Sequence, residues 1–169
     1  GDVTSHPDLI PFLHRLKERK VIANITVNQK HFEEKQDLIK RLVDEKLVYG
    51  IGVSLVNPTD SFISLVKKYP NAVIHVINGI LKPEDVEKLA NNNLKMLILG
   101  YKIIGRGVDY FNRYELYIDN NIKYLRDNIE EISKHFAVVS FDNLSLQHLD
   151  MKSKLPKKEW DALYMGDEG

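Results

Sequence analysis

The 169-residue sequence contains no cysteine. That excludes a disulfide, a thiolate metal site and an iron–sulfur cluster held by this chain's own side chains. No apolar run approaches the roughly 18 residues of a membrane-spanning helix, and no signal-peptide pattern appears, so no membrane partner and a cytoplasmic setting are expected. An excess of one charge is missing too: 24 basic residues face 24 acidic ones. No net field draws nucleic acid to the chain, and the basic run at 152–158 reads as a solvated face. There is no G-x-S-x-G and no H-E-x-x-H, so catalytic residues stay unassigned. The six histidines show no metal-ligand spacing, and no metal site is expected in this chain. "LGYKIIGRG" has closely spaced glycines but not the order of a phosphate loop.

What is present is a regular alternation. Short β-rich apolar runs at 21–27, 48–55, 72–77, 95–99 and 136–141 are separated by longer helical patterns. This alternation predicts an α/β fold with a parallel sheet and crossover helices, in a single domain over 1–169. The near-continuous apolar character of "VYGIGVSLV" and "AVIHVI" predicts strands covered on both faces. Pro7, Pro58 and Pro83 stand where first helical turns would begin, with Asn57 as N-cap before Pro58. Leu9, Phe12, Leu13 and Leu16 make one apolar helix face, and Leu38, Ile39, Leu42 and Val43 a second. Ile118, Ile122, Leu125, Ile129 and Ile132 form a long helical stripe. The tyrosines Tyr110, Tyr114, Tyr117 and Tyr124 read as rings packing at a sheet edge.

In parallel α/β folds ligands sit at the carboxyl ends of the strands. The residues there are Asn28 and Gln29, Ser54 and Asn57, Asn78 and Gly79, Tyr101 and Lys102, and Asp142 and Asn143. Turn chemistry accounts for any one of them; the ring as a whole is the stronger signal. Asp142 is a substrate-side candidate or the N-cap of a helix at Leu144.

The opening "GDVTSHPDLIPFLHRLKERKVIANITVN" resembles the stretch of radical S-adenosylmethionine (SAM) enzymes that reads Gly-Gly-Glu-Pro-Thr, then Pro-Asp/Glu, a helix, and a strand ending Thr-Asn. "VYGIGVSLVN" resembles the family's fourth strand, "AVIHVINGI" with "LKPEDVEKLA" the fifth strand and its helix, and "LKMLILGYK" the sixth. The resemblance covers about 1–102, leaving 103–169 as an extension. It implies a parallel-stranded partial (βα) TIM-like barrel, incomplete at the N-terminus, whose cofactors are SAM and a 4Fe-4S cluster with ligands not in this chain. The reaction implied is generation of a 5′-deoxyadenosyl radical that abstracts hydrogen from an unknown small-molecule or peptide substrate. The chain alone is then expected to be inactive.

The resemblance further implies that Asp2, Thr4, Asn28, Ser54, Asn57, Asn78 and Lys102 share one rim. Asp2 would face the amino group of SAM, Ser54 and Asn57 its ribose, and Ile77 to Ile80 its adenine. Asp2 stands where the family has Glu, and Val3 where it often has Pro. A strand is expected to end at Gly1, and the closing Gly-Asp-Glu-Gly is expected to lead into a further strand or hairpin. A non-redox (βα)-barrel lyase or a catalytically silent binding module is the alternative that the same architecture allows.

Overall fold

The computed structural model describes residues 2–164. The strand end expected at Gly1 and the turn expected at 166–169 lie outside the described residues. A 3-10 turn at Val3–Ser5 leads to α1 (Leu9–Glu18), β1 (Asn24–Asn28), α2 (Gln29–Glu34), α3 (Gln36–Asp44) and β2 (Gly50–Ser54). Then come α4 (Asp60–Val66), β3 (Ala72–Ile77), α5 (Pro83–Leu89), β4 (Lys95–Leu99) and α6 (Arg106–Ser133). β5 (Val138–Phe141), α7 (Asn143–His148), α8 (Met151–Lys154) and α9 (Lys157–Leu163) complete the order.

The strands stand in sequence order in an all-parallel five-stranded sheet, as the alternation predicts. β1 pairs with β2 from Asn24↔Gly50 to Asn28↔Ser54, and β2 with β3 from Ile51↔Ala72 to Ser54↔His75. β4 pairs with β5 from Lys95↔Val138 to Ile98↔Phe141. The chain forms two compact units, residues 1–75 and 76–169. No helix among the described residues is long and apolar enough to cross a membrane.

In the first unit the strands are not covered equally on both faces, as their apolar runs suggest. Ile25 and Val27 of β1 are buried while Asn24 and Thr26 are exposed, and Ala72 and Ile74 of β3 are buried while Val73 and His75 are half-buried. Side chains alternate across a strand, so one face carries the core and the other stays open. Glycines at 50 and 52 of β2 fall on the open face and made its run look uniformly apolar. Of the α1 face, Leu9 and Leu13 are buried, but Phe12 falls beside that stripe and is 57 % exposed. The second predicted face lies wholly in α3, which Lys35, outside helical geometry (φ −108°, ψ 39°), divides from α2. Ile39 and Leu42 are buried and Val43 is exposed.

Helix starts differ from the proline reading at two of three places. Pro83 is the first residue of α5. Pro7 precedes α1 by two residues, and Pro58 precedes the cap of α4. That cap is Thr59, whose hydroxyl accepts from the Phe62 N–H at 3.2 Å, and not Asn57. Thr59 supplies a side-chain oxygen two residues closer to the first free N–H groups.

In the second unit Ile118, Leu125, Ile129 and Ile132 of the α6 stripe are buried, and Ile122 is half-buried. Asn121 lies within the stripe, also buried, and its Nδ2 donates to the Gly79 carbonyl at 3.0 Å. Gly79 has φ +96°, and a Cβ there would come within 2.8 Å of Ile118 Cγ2. Both a left-handed backbone and a close helix demand glycine at that point. Tyr110 and Tyr114 pack on each other (centroids 4.7 Å apart) where α6 departs from helical geometry at Tyr114 (φ −133°, ψ 24°).

Candidate functional site

In the first unit the candidate residues gather around the Asp2 carboxylate, which is 7 % exposed. Its Oδ1 accepts from the Thr4 N–H (3.0 Å) and the Thr4 hydroxyl (2.5 Å), and lies 3.1 Å from His31 Nδ1. Its Oδ2 accepts from the Asn28 N–H (2.7 Å) and from Asn28 Nδ2 (2.8 Å). A carboxylate offers about four lone-pair positions, so Asp2 is filled by the protein itself. Burial pushes its carboxyl up, but hydrogen bonds from the Thr4 hydroxyl, the Asn28 N–H, the His31 ring and the Thr4 N–H outweigh that and bring the pKa down to about 2.

Two further side chains complete this knot, and neither stood out in the sequence. Lys35 Nζ donates to the Thr4 carbonyl (3.0 Å), the Thr4 hydroxyl (3.2 Å) and the Ser5 hydroxyl (3.2 Å). His31 reaches Asp2 because Asn28 caps α2, its Oδ1 accepting from the His31 N–H at 2.9 Å. The cap was visible as an Asn at a strand end; the return of the ring to Asp2 has no local sequence signal. An open hollow of about 710 Å³ lies against this turn, lined by Asp2, Val3, Ser5, His6, Pro7, Leu9 and Phe12.

The register places a row of polar residues beside the knot. Asn28, Ser54 and His75 are Cα partners on three adjacent strands, so their side chains leave the same face at the same level. Neighbouring strands are about 4.8 Å apart. Ser54 and His75 are half-buried. Among the described residues neither the Ser54 hydroxyl nor the His75 ring has a hydrogen-bond partner. The His75 ring lies across Gly52, where a Cβ would meet Nε2 at 2.5 Å and Nδ1 at 3.0 Å. Burial pushes the pKa of this imidazole down, which keeps it neutral at pH 7. His75 reads in the sequence as one of six scattered histidines; its level with Ser54 follows only from the register of β2 and β3.

Asn57 is not part of this row. Its side chain is exposed, and its backbone N–H and C=O are tied to Gln29: Oε1 of Gln29 accepts from the Val56 and Asn57 N–H groups (both 2.8 Å), and Nε2 donates to the Asn57 carbonyl (2.7 Å). Gln29 is itself buried, and its Nε2 also donates to Glu33 Oε1 at 3.1 Å. Asn57 lines a groove of about 680 Å³ with Lys30, Glu33, Thr59, Ser61 and Lys68, without Ser54.

In the second unit, Ile77 is 43 % exposed at the end of β3, and Asn78 after it is fully buried. The Asn78 N–H donates to the Leu99 carbonyl at 2.7 Å, while both polar atoms of its side chain lack a partner among the described residues. A buried amide in that condition costs stability. Lys102 is exposed on the loop after β4. Asp142 caps α7: its Oδ1 accepts from the Ser145 N–H (2.7 Å) and also from the Gly100 N–H (2.9 Å), joining the end of β4 to the helix.

Among the described residues no group of three His, Asp or Glu side chains gathers so as to hold a metal ion. No family model, curated protein or solved structure matches the chain.

Proposed function

We propose that this chain is the SAM-binding portion of a radical SAM enzyme, built as part of a (βα) TIM-like barrel. The observation that carries the reading is the joined knot and row of the first unit: an acidic turn bonded to the Asn that ends β1, with Ser54 level with that Asn on the next parallel strand. These are the positions, in the order, at which the sequence resembles that family. With no cysteine, the chain's own residues do not fit a 4Fe-4S cluster, and its thiolate ligands belong to sequence outside this chain. Held by ligands from elsewhere, such a cluster would supply the electron for reductive cleavage of SAM, and the residues of this chain would only bind and orient SAM.

The residues here bind and orient. Asp2 takes the ligand's ammonium at Oδ1 in exchange for the His31 ring, which lies 3.1 Å away and is 26 % exposed. Thr4, Asn28 and Lys35 keep the turn in place during that exchange. Ser54 offers a free hydroxyl to the ribose; the Asn57 side chain, exposed and outside the row, adds little to it. Ile77, Asn78, Lys102 and Asp142 stay the candidates that the resemblance implies in the second unit.

Anaerobic iron–sulfur reconstitution of the full-length gene product, with detection of 5′-deoxyadenosine, tests the reading; a protein that holds no cluster and releases no nucleoside overturns it. In that protein Ser54→Ala should weaken SAM binding by about tenfold, the equivalent of one well-made hydrogen bond. Asn57→Ala, at an exposed side chain outside the row, should change it by less than about twofold. Equal losses for the two would restore Asn57 to the ribose site.

A further inference from the structure

We propose that His75 is the partner of Ser54 in recognising a vicinal diol, and so determines specificity at the site; this rests on the SAM reading above. The two residues are Cα partners on adjacent parallel strands and project from the same face. Each is half-buried, and neither has a hydrogen-bond partner among the described residues. A neutral imidazole presents one donor and one acceptor, and a serine hydroxyl presents both. The hydroxyl at the strand end and the imidazole seated one row back over Gly52 match two adjacent hydroxyls, which are likewise neutral and can each donate and accept. An anionic group would find no positive charge in this pair, and an apolar one would leave two half-buried polar groups unsatisfied.

Gly52 is what makes the ring's seat. It lies on the same face, one row back, paired to Thr26 and Val73. A methyl group on Gly52 would meet the His75 ring at Nε2 and Nδ1 within 2.5 and 3.0 Å. A side chain at position 52 therefore drives the imidazole from its present orientation without removing it. Position 52 thus tests where the ring lies, and position 75 whether it is there.

The test is a set of binding titrations on the reconstituted full-length protein with SAM and its 2′-deoxy and 3′-deoxy analogues, using wild type, His75→Ala, His75→Gln and Gly52→Ala. His75→Ala should weaken SAM by about tenfold and leave one deoxy analogue bound as in wild type, because the hydroxyl and the ring are two halves of one contact. His75→Gln, which keeps a donor and an acceptor, should recover part of the loss, and Gly52→Ala should behave like His75→Ala. Circular dichroism confirms that each variant is folded, and Gln at position 75 decides the matter should Ala unfold the strand. Losses equal for SAM and both analogues, or no loss at all, overturn the diol assignment while the SAM reading stands. SAM binding absent from wild type, or indifferent to Ser54→Ala and Asp2→Asn together, overturns the SAM reading and the diol assignment with it.

Discussion

Asp2→Asn should cost about 2 kcal/mol more of folding stability at pH 7 than at pH 2. The carboxyl's pKa falls from 3.8 to about 2 in the folded chain, so the folded state holds the ionised form more tightly than the unfolded state does. Stability from such a group is complete above pH 4 and is lost as the pH falls toward 2. The amide has a further fault: its NH2 would face the N–H groups of Thr4 or Asn28, which now donate to the carboxylate. Urea unfolding of wild type and variant at pH 7, 4 and 2 measures the difference directly. A gap that stays constant across that range would show that the carboxylate's charge contributes nothing and that only its shape matters.

Gly100→Ala should be more damaging, at about 3 kcal/mol, through crowding and not through charge. Its N–H reaches Asp142 only because α7 comes down onto the end of β4. A Cβ on Gly100 would sit 2.5 Å from Leu144 Cβ and 2.8 Å from the Leu144 carbonyl carbon. A flexible side-chain end could turn aside, but backbone cannot. Leu144→Ala in the same chain should therefore return only part of the loss, and denaturant unfolding of the two variants separates the side-chain part of the clash from the backbone part. Full recovery in the double variant would place the whole clash in the leucine side chain.

How much of this was legible depends on the range of the forces involved. β3 at Ala72–Ile77 and β4 at Lys95–Leu99 begin and end where their apolar runs do. β1 begins at Asn24, three residues later than its run, because the end of α1 claims the intervening chain. Lys20 is left-handed (φ 59°), and the Val21 N–H reaches back to the Leu16 carbonyl at 3.0 Å. This is the usual helix-ending motif with lysine in the place of glycine, so the residue that normally announces it is missing. The end of α3 repeats it: Lys46 has φ 53°, and the Leu47 N–H donates to the Leu42 carbonyl at 2.8 Å.

The site divides along the same line. Asn28 and Ser54 could be found because strand ends can be found. His31 and Lys35 reach Thr4 across 27 and 31 residues of sequence, and His75 comes level with Ser54 only through the pairing of β2 and β3. Contacts of that separation exist only once the sheet has fixed its register, and no local pattern encodes them. Asn121 is the exception. It falls on the buried side of the α6 stripe by its spacing from Ile118 and Leu125, so a polar residue in need of a partner could have been inferred there.

Gln29 sets a limit on how this chain can vary. Its amide accepts two N–H groups and donates to a carbonyl, doing for the loop after β2 what one more residue of backbone would do for a sheet. Glutamate has the same shape but no N–H, and would turn an oxygen toward both the Asn57 carbonyl and Glu33. Asparagine has the right chemistry and is one methylene too short. In a saturation library selected for folding alone, position 29 should therefore tolerate fewer residues than position 54, whose unpartnered serine the fold can replace freely. Intolerance at Gln29 would then mark architecture, and intolerance at Ser54 would appear only when the selection is for activity.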